Sequence, residues 1–284
     1  MEFSLTVLAF MLALGLMVFV RRRSTARNEV WRLVHSGGLP QDERLMAAAE
    51  ERLVQRQVAT AAGSVAAGLV GVLVLWAVGS DVSSPILGWT LVLSVAGAGL
   101  GISIVHSRAV RAVRPAGSRT ATLRQRQLAD YLTRFEIVGQ YAMLVFPLLA
   151  LVLGVLILVT ADDHQARGLV LAIPALAMIP FAVLGVHLQR QILHLNQPAS
   201  GEPDLRWQEA LRAKALRDMG NILGGAGWLF GSASVLSFDW PAGLPAFIEP
   251  LGWVMFVAGT GLWALILFTG ESKWGLRRSQ EAIG

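Results

Sequence analysis

Seven stretches of about 20 residues contain no Asp, Glu, Lys or Arg, and no other feature constrains this chain so strongly. They are Phe3 to Val20, Ala59 to Gly79, Pro85 to Val105, Ile137 to Ala161, Gly168 to Leu188, Asn221 to Phe238 and Leu251 to Gly270. A helix rises about 1.5 Å per residue, so each is long enough to cross a hydrocarbon layer of about 30 Å. Only a helix or a closed barrel satisfies every backbone polar group there, and uninterrupted apolar runs of this length fit helices. The expected fold class is all-α, a polytopic transmembrane helix bundle with seven spans in a bacterial plasma membrane. Composition agrees, with 54% hydrophobic and 15% charged residues against about 25% charged in ordinary soluble domains.

Charge between the runs sets the orientation. All of the 24 Lys and Arg except Arg167 fall in segments 21–58, 106–136, 189–220 and 271–284. The alternate connections carry Asp81, Asp162, Asp163, Asp239 and Glu249. Insertion retains Lys and Arg on the cytoplasmic side, which predicts an N-out, C-in topology. The first run lacks a basic segment before it and meets Arg21, Arg22 and Arg23 directly after it, so it reads as an anchor rather than a cleaved signal. Trp31, Tyr131, Phe135, Trp207 and Trp274 are expected near the inner interface and Trp76, Trp89, Trp240 and Trp253 near the outer one. Trp228 and Trp263 lie deeper and read as packing between helices.

The inner segments carry amphipathic helices. Pro40, Asp42 and Glu43 have the order of a helix start, and Met46, Ala49 and Leu53 follow at helical spacing. Leu128, Tyr131, Leu132 and Phe135 recur at i, i+3, i+4 and i+7, which predicts a helix entering the fourth span. Pro203 and Asp204 open a third run with Trp207, Leu211, Ala215 and Met219 on one stripe. Arg44 and Arg206 each stand 15 residues before the following span, the pattern of a threefold repeat of inner helix plus hairpin. These three segments form the expected surface for a cytoplasmic or membrane protein partner.

Chemistry is sparse. Without cysteine there are no disulfides, thiol nucleophiles or thiolate metal sites. His187 and His194 stand two turns apart, outside the i, i+4 spacing of a metal pair, and Asp162, Asp163 and His164 read as an exposed acidic turn. No phosphate loop, zincin motif or nucleophile elbow occurs, so neither catalysis nor a cofactor or metal is expected. Carboxylate proton relays lack their residues inside the spans. The candidate site is a polar vestibule of Glu136, Gln140, Tyr141 and His187, formed if the fourth and fifth spans pair.

Arg21, Arg22, Arg23, Arg108, Arg111 and Arg114 are candidate contacts for an anionic inner leaflet, at about 1 kcal/mol each. They lack the aromatic and glycine pattern of a nucleic-acid module. Gly97 with Gly101, Gly227 with Gly231, and Gly63, Ala67 and Gly71 place small residues four apart for close helix packing. Pro147, Pro174 and Pro180 predict kinks, and the apolar loop Asp239 to Pro250 is expected to lie in the outer interface.

The run Gly38, Leu39, Pro40, Gln41, Asp42, Glu43, Arg44 resembles inner loops of uncharacterised multi-pass integral membrane proteins of actinobacteria, as do Arg119 to Leu123 and Leu128 to Tyr131. That resemblance covers the two inner loops and implies a membrane location, with no functional residue to carry over. The functional expectation is a scaffold or regulatory membrane subunit; the alternative is a permease, or a permease subunit, for an uncharged or amphipathic solute.

Overall fold

A computed structural model describes residues 2–77, 93–102, 104–105, 126–160, 165–194, 201–236, 253–254 and 257–265. Regular structure among the described residues is helical, with no strands. Helix α1 spans Glu2–Gly37 and α2 Glu43–Ala77. A short apolar helix, α3, covers Leu93–Ile102. Helices α4 (Arg134–Met143), α5 (Val145–Thr160), α6 (Gln165–His194) and α7 (Glu202–Leu236) follow. Two helical stretches among the described residues, Glu43–Leu73 and Arg134–Val159, are long and apolar enough to cross a membrane. Arg108, Arg111, Arg114, the acidic turn at His164 and the loop Asp239 to Pro250 lie outside the described residues.

Helix α1 does not stop where its apolar run ends. It continues from Val20 through the arginines to Gly37, so 36 residues extend about 54 Å, well beyond the apolar thickness of a bilayer. Gly38, at φ +59°, then reverses the chain in the left-handed region that glycine adopts without strain. Asp42 Oδ1 accepts the Arg44 N–H at 2.8 Å and opens α2. The two helices run antiparallel, closing over Ala26, Val30, Leu33, Val34, Ala49 and Leu53. The result is a helical hairpin at the charged end of the bundle.

Helix α7 is the hub. Its first half was expected to lie as a surface helix with one apolar stripe; instead Ala210, Arg212, Ala213 and Leu216 are buried along with Trp207, Ala215 and Met219. The α1–α2 hairpin packs on one side, with the Trp207 indole N–H donating to the Pro40 carbonyl at 3.1 Å. Trp207 is therefore a core residue and not a headgroup aromatic. Tyr131, Leu132, Ile192 and Leu193 cover the other side.

Small residues let neighbours close on the apolar half of α7. A Cβ on Gly231 would overlap Phe146, and one on Gly227 would stand 2.9 Å from the Met143 carbonyl oxygen. That carbonyl is the one Pro147 deprives of its i+4 donor, which explains why α4 ends at Met143 and α5 restarts at Val145. Helix α6 is continuous through Pro174 and Pro180. Likewise Gly97 closes on the Gly63 carbonyl and Gly101 on that of Ala59, so α2 and α3 touch backbone to backbone. Trp228 and Trp263 stack with ring centroids 5.7 Å apart.

The second inner segment departs from the expected helix. Residues Leu128–Asp130 form one 3-10 turn, and α4 begins only after Thr133. Thr133 accepts from the Glu136 N–H at 3.2 Å and its own N–H donates to Glu136 Oε2 at 2.8 Å, a capping box that fixes the start of α4. The supposed threefold repeat thus has an interrupted middle unit. Helices α2 and α7, by contrast, are both 35 residues long. Arg56 and Asp218, each 12 residues beyond Arg44 and Arg206, form an ion pair with each other.

Candidate functional site

The polar side chains at the charged end converge on α7. Residues 209, 212, 213, 216, 217 and 220 share one helical face, so each meets the segment 126–140 or the end of α6. Glu209 is the first anchor. Its Oε2 accepts from the Tyr131 hydroxyl at 2.6 Å, and its Oε1 accepts from Arg212 at 2.7 Å and Arg126 at 2.9 Å. Arg212 also donates to the Tyr131 oxygen at 3.3 Å. Burial, followed by the hydrogen bond to the Glu209 carboxylate, pushes the Tyr131 phenol up to about 12.

Two turns further along α7, Arg217 Nε donates to Glu136 Oε1 at 2.6 Å. The next level is amide to amide: Gln189 Nε2 donates to Gln140 Oε1 at 3.1 Å, both side chains being almost wholly buried. Gly220 leaves the room for this pair, because a Cβ there would run into Gln140 Oε1. Gln140 Nε2 and Gln189 Oε1 have no hydrogen-bond partner.

A second cluster lies on the opposite side of α7, under the hairpin. Lys214 Nζ stands 3.4 Å from Glu29 of α1 and 3.4 Å from Asp218, whose other oxygen pairs with Arg56 of α2. Burial holds both Lys214 and Arg56 below their ordinary values, and Glu29 opposes that shift in each.

The candidate vestibule is therefore only partly assembled. Glu136 and Gln140 lie together in the buried ladder. Tyr141 is 40% exposed on the outer side of α4, and His187 is exposed and bonded within its own helix to Gln191 at 2.8 Å. Helices α5 and α6 do pair, but Gln189 and not His187 is the residue that faces Gln140, since it lies two positions further round the helix. Arg21 and Arg23 are exposed. Arg22 folds back so that its guanidinium sits 3.7 Å from the Phe19 ring centre and donates to the Phe19 carbonyl at 2.5 Å.

Sequence reasoning missed Gln189, Glu209, Arg212, Arg217 and Asp218. For the four on α7 the signal is the small residues set among them: Ala210, Ala213, Ala215 and Gly220 leave little bulk on several sides of a charged helix, so neighbours close in; Gln189 on α6 had no such signal.

Chemically, this arrangement holds helices together. Carboxylates Glu136, Glu209 and Asp218 are each occupied by guanidinium, ammonium or hydroxyl donors. Among the described residues no three His, Asp or Glu side chains converge to hold a metal. A cleft between α3, α6 and α7 is lined by Gly99, Leu100, Phe181, Gly185, Ile222 and Leu223 among others, all apolar or glycine, and admits little more than a water-sized sphere. No protein-family model, curated protein or solved structure matches this chain.

Proposed function

We propose that this chain is a seven-span, N-out and C-in protein of the bacterial plasma membrane that acts without catalysis, as a scaffold or regulatory subunit presenting a helical head to the cytoplasm. Lipid exposure explains the outer face of α5, where Val152, Leu156 and Val159 are 63%, 55% and 76% exposed along one stripe. It equally explains the exposed apolar run Leu16 to Val20 of α1 ahead of three arginines.

The observation that carries the scaffold reading is closure of the bundle around α7. Carboxylates are committed to cross-helix pairs at the charged end, and glycines seat neighbouring helices against the apolar half of α7. A permease for an uncharged or amphipathic solute is the second reading. It draws on the unused amide atoms of Gln140 and Gln189 at the head of the apolar region.

The absence of native cysteine makes the test direct. Single cysteines at Ser24 and Asp163 should react with a membrane-impermeant maleimide from opposite sides in intact and inverted vesicles. Single cysteines at Met178 and Leu223, both buried, should stay unreactive towards small water-soluble thiosulfonates. Rapid labelling of the latter pair would favour transport; labelling of Ser24 from outside would reverse the topology.

A further inference from the structure

Gln140 of α4 and Gln189 of α6 meet inside the bundle, 2% and 0% exposed, and share one hydrogen bond of 3.1 Å. A primary amide carries one carbonyl oxygen and one NH2 group, so two amides joined by a single bond keep a nitrogen on one residue and an oxygen on the other. Those atoms are Gln140 Nε2 and Gln189 Oε1, both sealed from solvent and without a hydrogen-bond partner. Turning both amides over exchanges the residues' roles and again leaves one nitrogen and one oxygen, so the deficit does not depend on how the amides are assigned. A buried donor or acceptor left unmade is destabilising, and this pair has one of each.

We infer that a single water molecule is bound between Gln140 Nε2 and Gln189 Oε1 as a fixed part of the fold, accepting from the first and donating to the second. The occupant has to do both. A halide accepts without donating, and a metal cation or an ammonium group does not accept from an N–H. Glu136, one turn back on α4, has its carboxylate engaged by Arg217 and Thr133.

Space selects the smallest molecule with this chemistry. On the facing side of α7, a Cβ at Gly224 would rest 3.4 Å from Gln140 Cα and 3.7 Å from the Met143 side chain, ordinary contact that leaves slack beside the amide pair. A Cβ at Gly220 would already collide with Gln140 Oε1, so a larger solute is not accommodated. The bridge fastens α4 to α6 one turn beyond the Glu136–Arg217 pair and holds the rotation of α6 that brings Gln189 to Gln140. It goes beyond the scaffold reading without depending on it, and it occupies the amide atoms on which the permease reading draws.

The test is magnetisation transfer from water to side-chain amide protons in the full-length protein, 15N-labelled at glutamine, in detergent micelles. A held water gives a rotating-frame cross-relaxation peak of opposite sign to the diagonal, whereas proton exchange with solvent gives the same sign. The Gln140 resonance is identified by its loss in Gln140→Met. The expected result is a cross-relaxation peak at the Gln140 NH2 of the parent and its loss in Gln189→Met, where the Gln140 resonance itself persists. No such peak in the parent overturns the inference, because the amides then close into a dry pair with two mutual bonds. A peak undiminished in Gln189→Met overturns the bridge. If Gln189→Met does not fold, crystallographic density of the parent decides: a water within about 2.7–3.2 Å of both atoms supports the site, and two direct amide bonds or a larger molecule there refute it.

Discussion

Arg217 and Glu136 join α7 to the start of α4 through a 2.6 Å contact, while the second oxygen of Glu136 accepts from the backbone N–H and hydroxyl of Thr133. One carboxylate thus performs two tasks: it neutralises a mostly buried guanidinium and closes the first turn of a helix. Replacing Glu136 by Ala leaves Arg217 without its partner, and a broken buried pair costs about 3–5 kcal/mol. Loss of the cap adds about 1 kcal/mol, which Thr133→Ala should lose by itself. The double variant Glu136→Ala/Arg217→Ala should cost less than the sum of the singles, because neither charge is then stranded. Thermal or denaturant unfolding in detergent measures all four.

The glycine contacts of α7 predict a graded steric series. Gly231→Ala drives a methyl into Phe146, and Gly227→Ala pushes one against the Met143 carbonyl. Overpacking of this kind costs about 1–3 kcal/mol, since backbone and not a flexible side-chain tip must move. Gly261→Ala meets nothing within 4 Å and should change stability by less than about 0.5 kcal/mol. Equal melting temperatures for the three variants would contradict the close approach of α5 to α7.

Tyr131 predicts a titration. Its phenol is raised from 10.0 to about 12, so the folded chain holds this proton more tightly than the unfolded chain. The contribution is therefore fully present below pH about 10 and is lost as the pH rises through about 12. Tyr131→Phe removes it, so the stability gap between parent and variant should narrow across that interval. Ultraviolet titration of the phenolate gives a second readout, because the chain has only two tyrosines, and Tyr141 is 40% exposed.

How much of this was legible beforehand follows from the physics of each signal. A charge-free run of about 20 residues reports helix in apolar surroundings, and the runs beginning at Ala59 and Ile137 fall in the apolar helical stretches 43–73 and 134–159, whose charged starts the runs did not mark. Small residues four apart located the contact of Gly97 and Gly101 with α2, and that of Gly227 and Gly231 with α4 and α5. Side-chain partners were another matter. Periodicity places Gln140 on a face without saying whether His187 or Gln189 opposes it, because that depends on the rotation of α6. The helix expected over Leu128 to Phe135 failed for a local reason: Thr133 and Glu136 offer a capping box that restarts the chain at Arg134, and this outweighs a well-spaced apolar stripe. The burial of Trp207 required knowing that the α1–α2 hairpin folds onto α7, a long-range contact with no periodic signature.

The cluster beneath the hairpin yields the last prediction. Lys214 lies between Glu29 and Asp218, and burial lowers its pKa from 10.5. The sign follows from proton counting. Between the lowered value and 10.5 the unfolded chain binds more protons at this residue than the folded chain, so stability rises with pH through that interval. Below it, the buried ammonium is a constant cost that its carboxylate neighbours offset. Asp218 also has Arg56, so Lys214→Met strands Glu29 alone, and the variant should be less stable than the parent at pH 7. Lys214→Met combined with Glu29→Met replaces one charge pair by apolar contact and leaves the Arg56–Asp218 pair in place. It should be neutral or stabilising by about 1–4 kcal/mol. Its unfolding midpoint should also lose most of the rise below pH 10.5 that the parent shows, and a double variant less stable than Lys214→Met alone would mean that the ion pair, and not its burial, dominates at this contact.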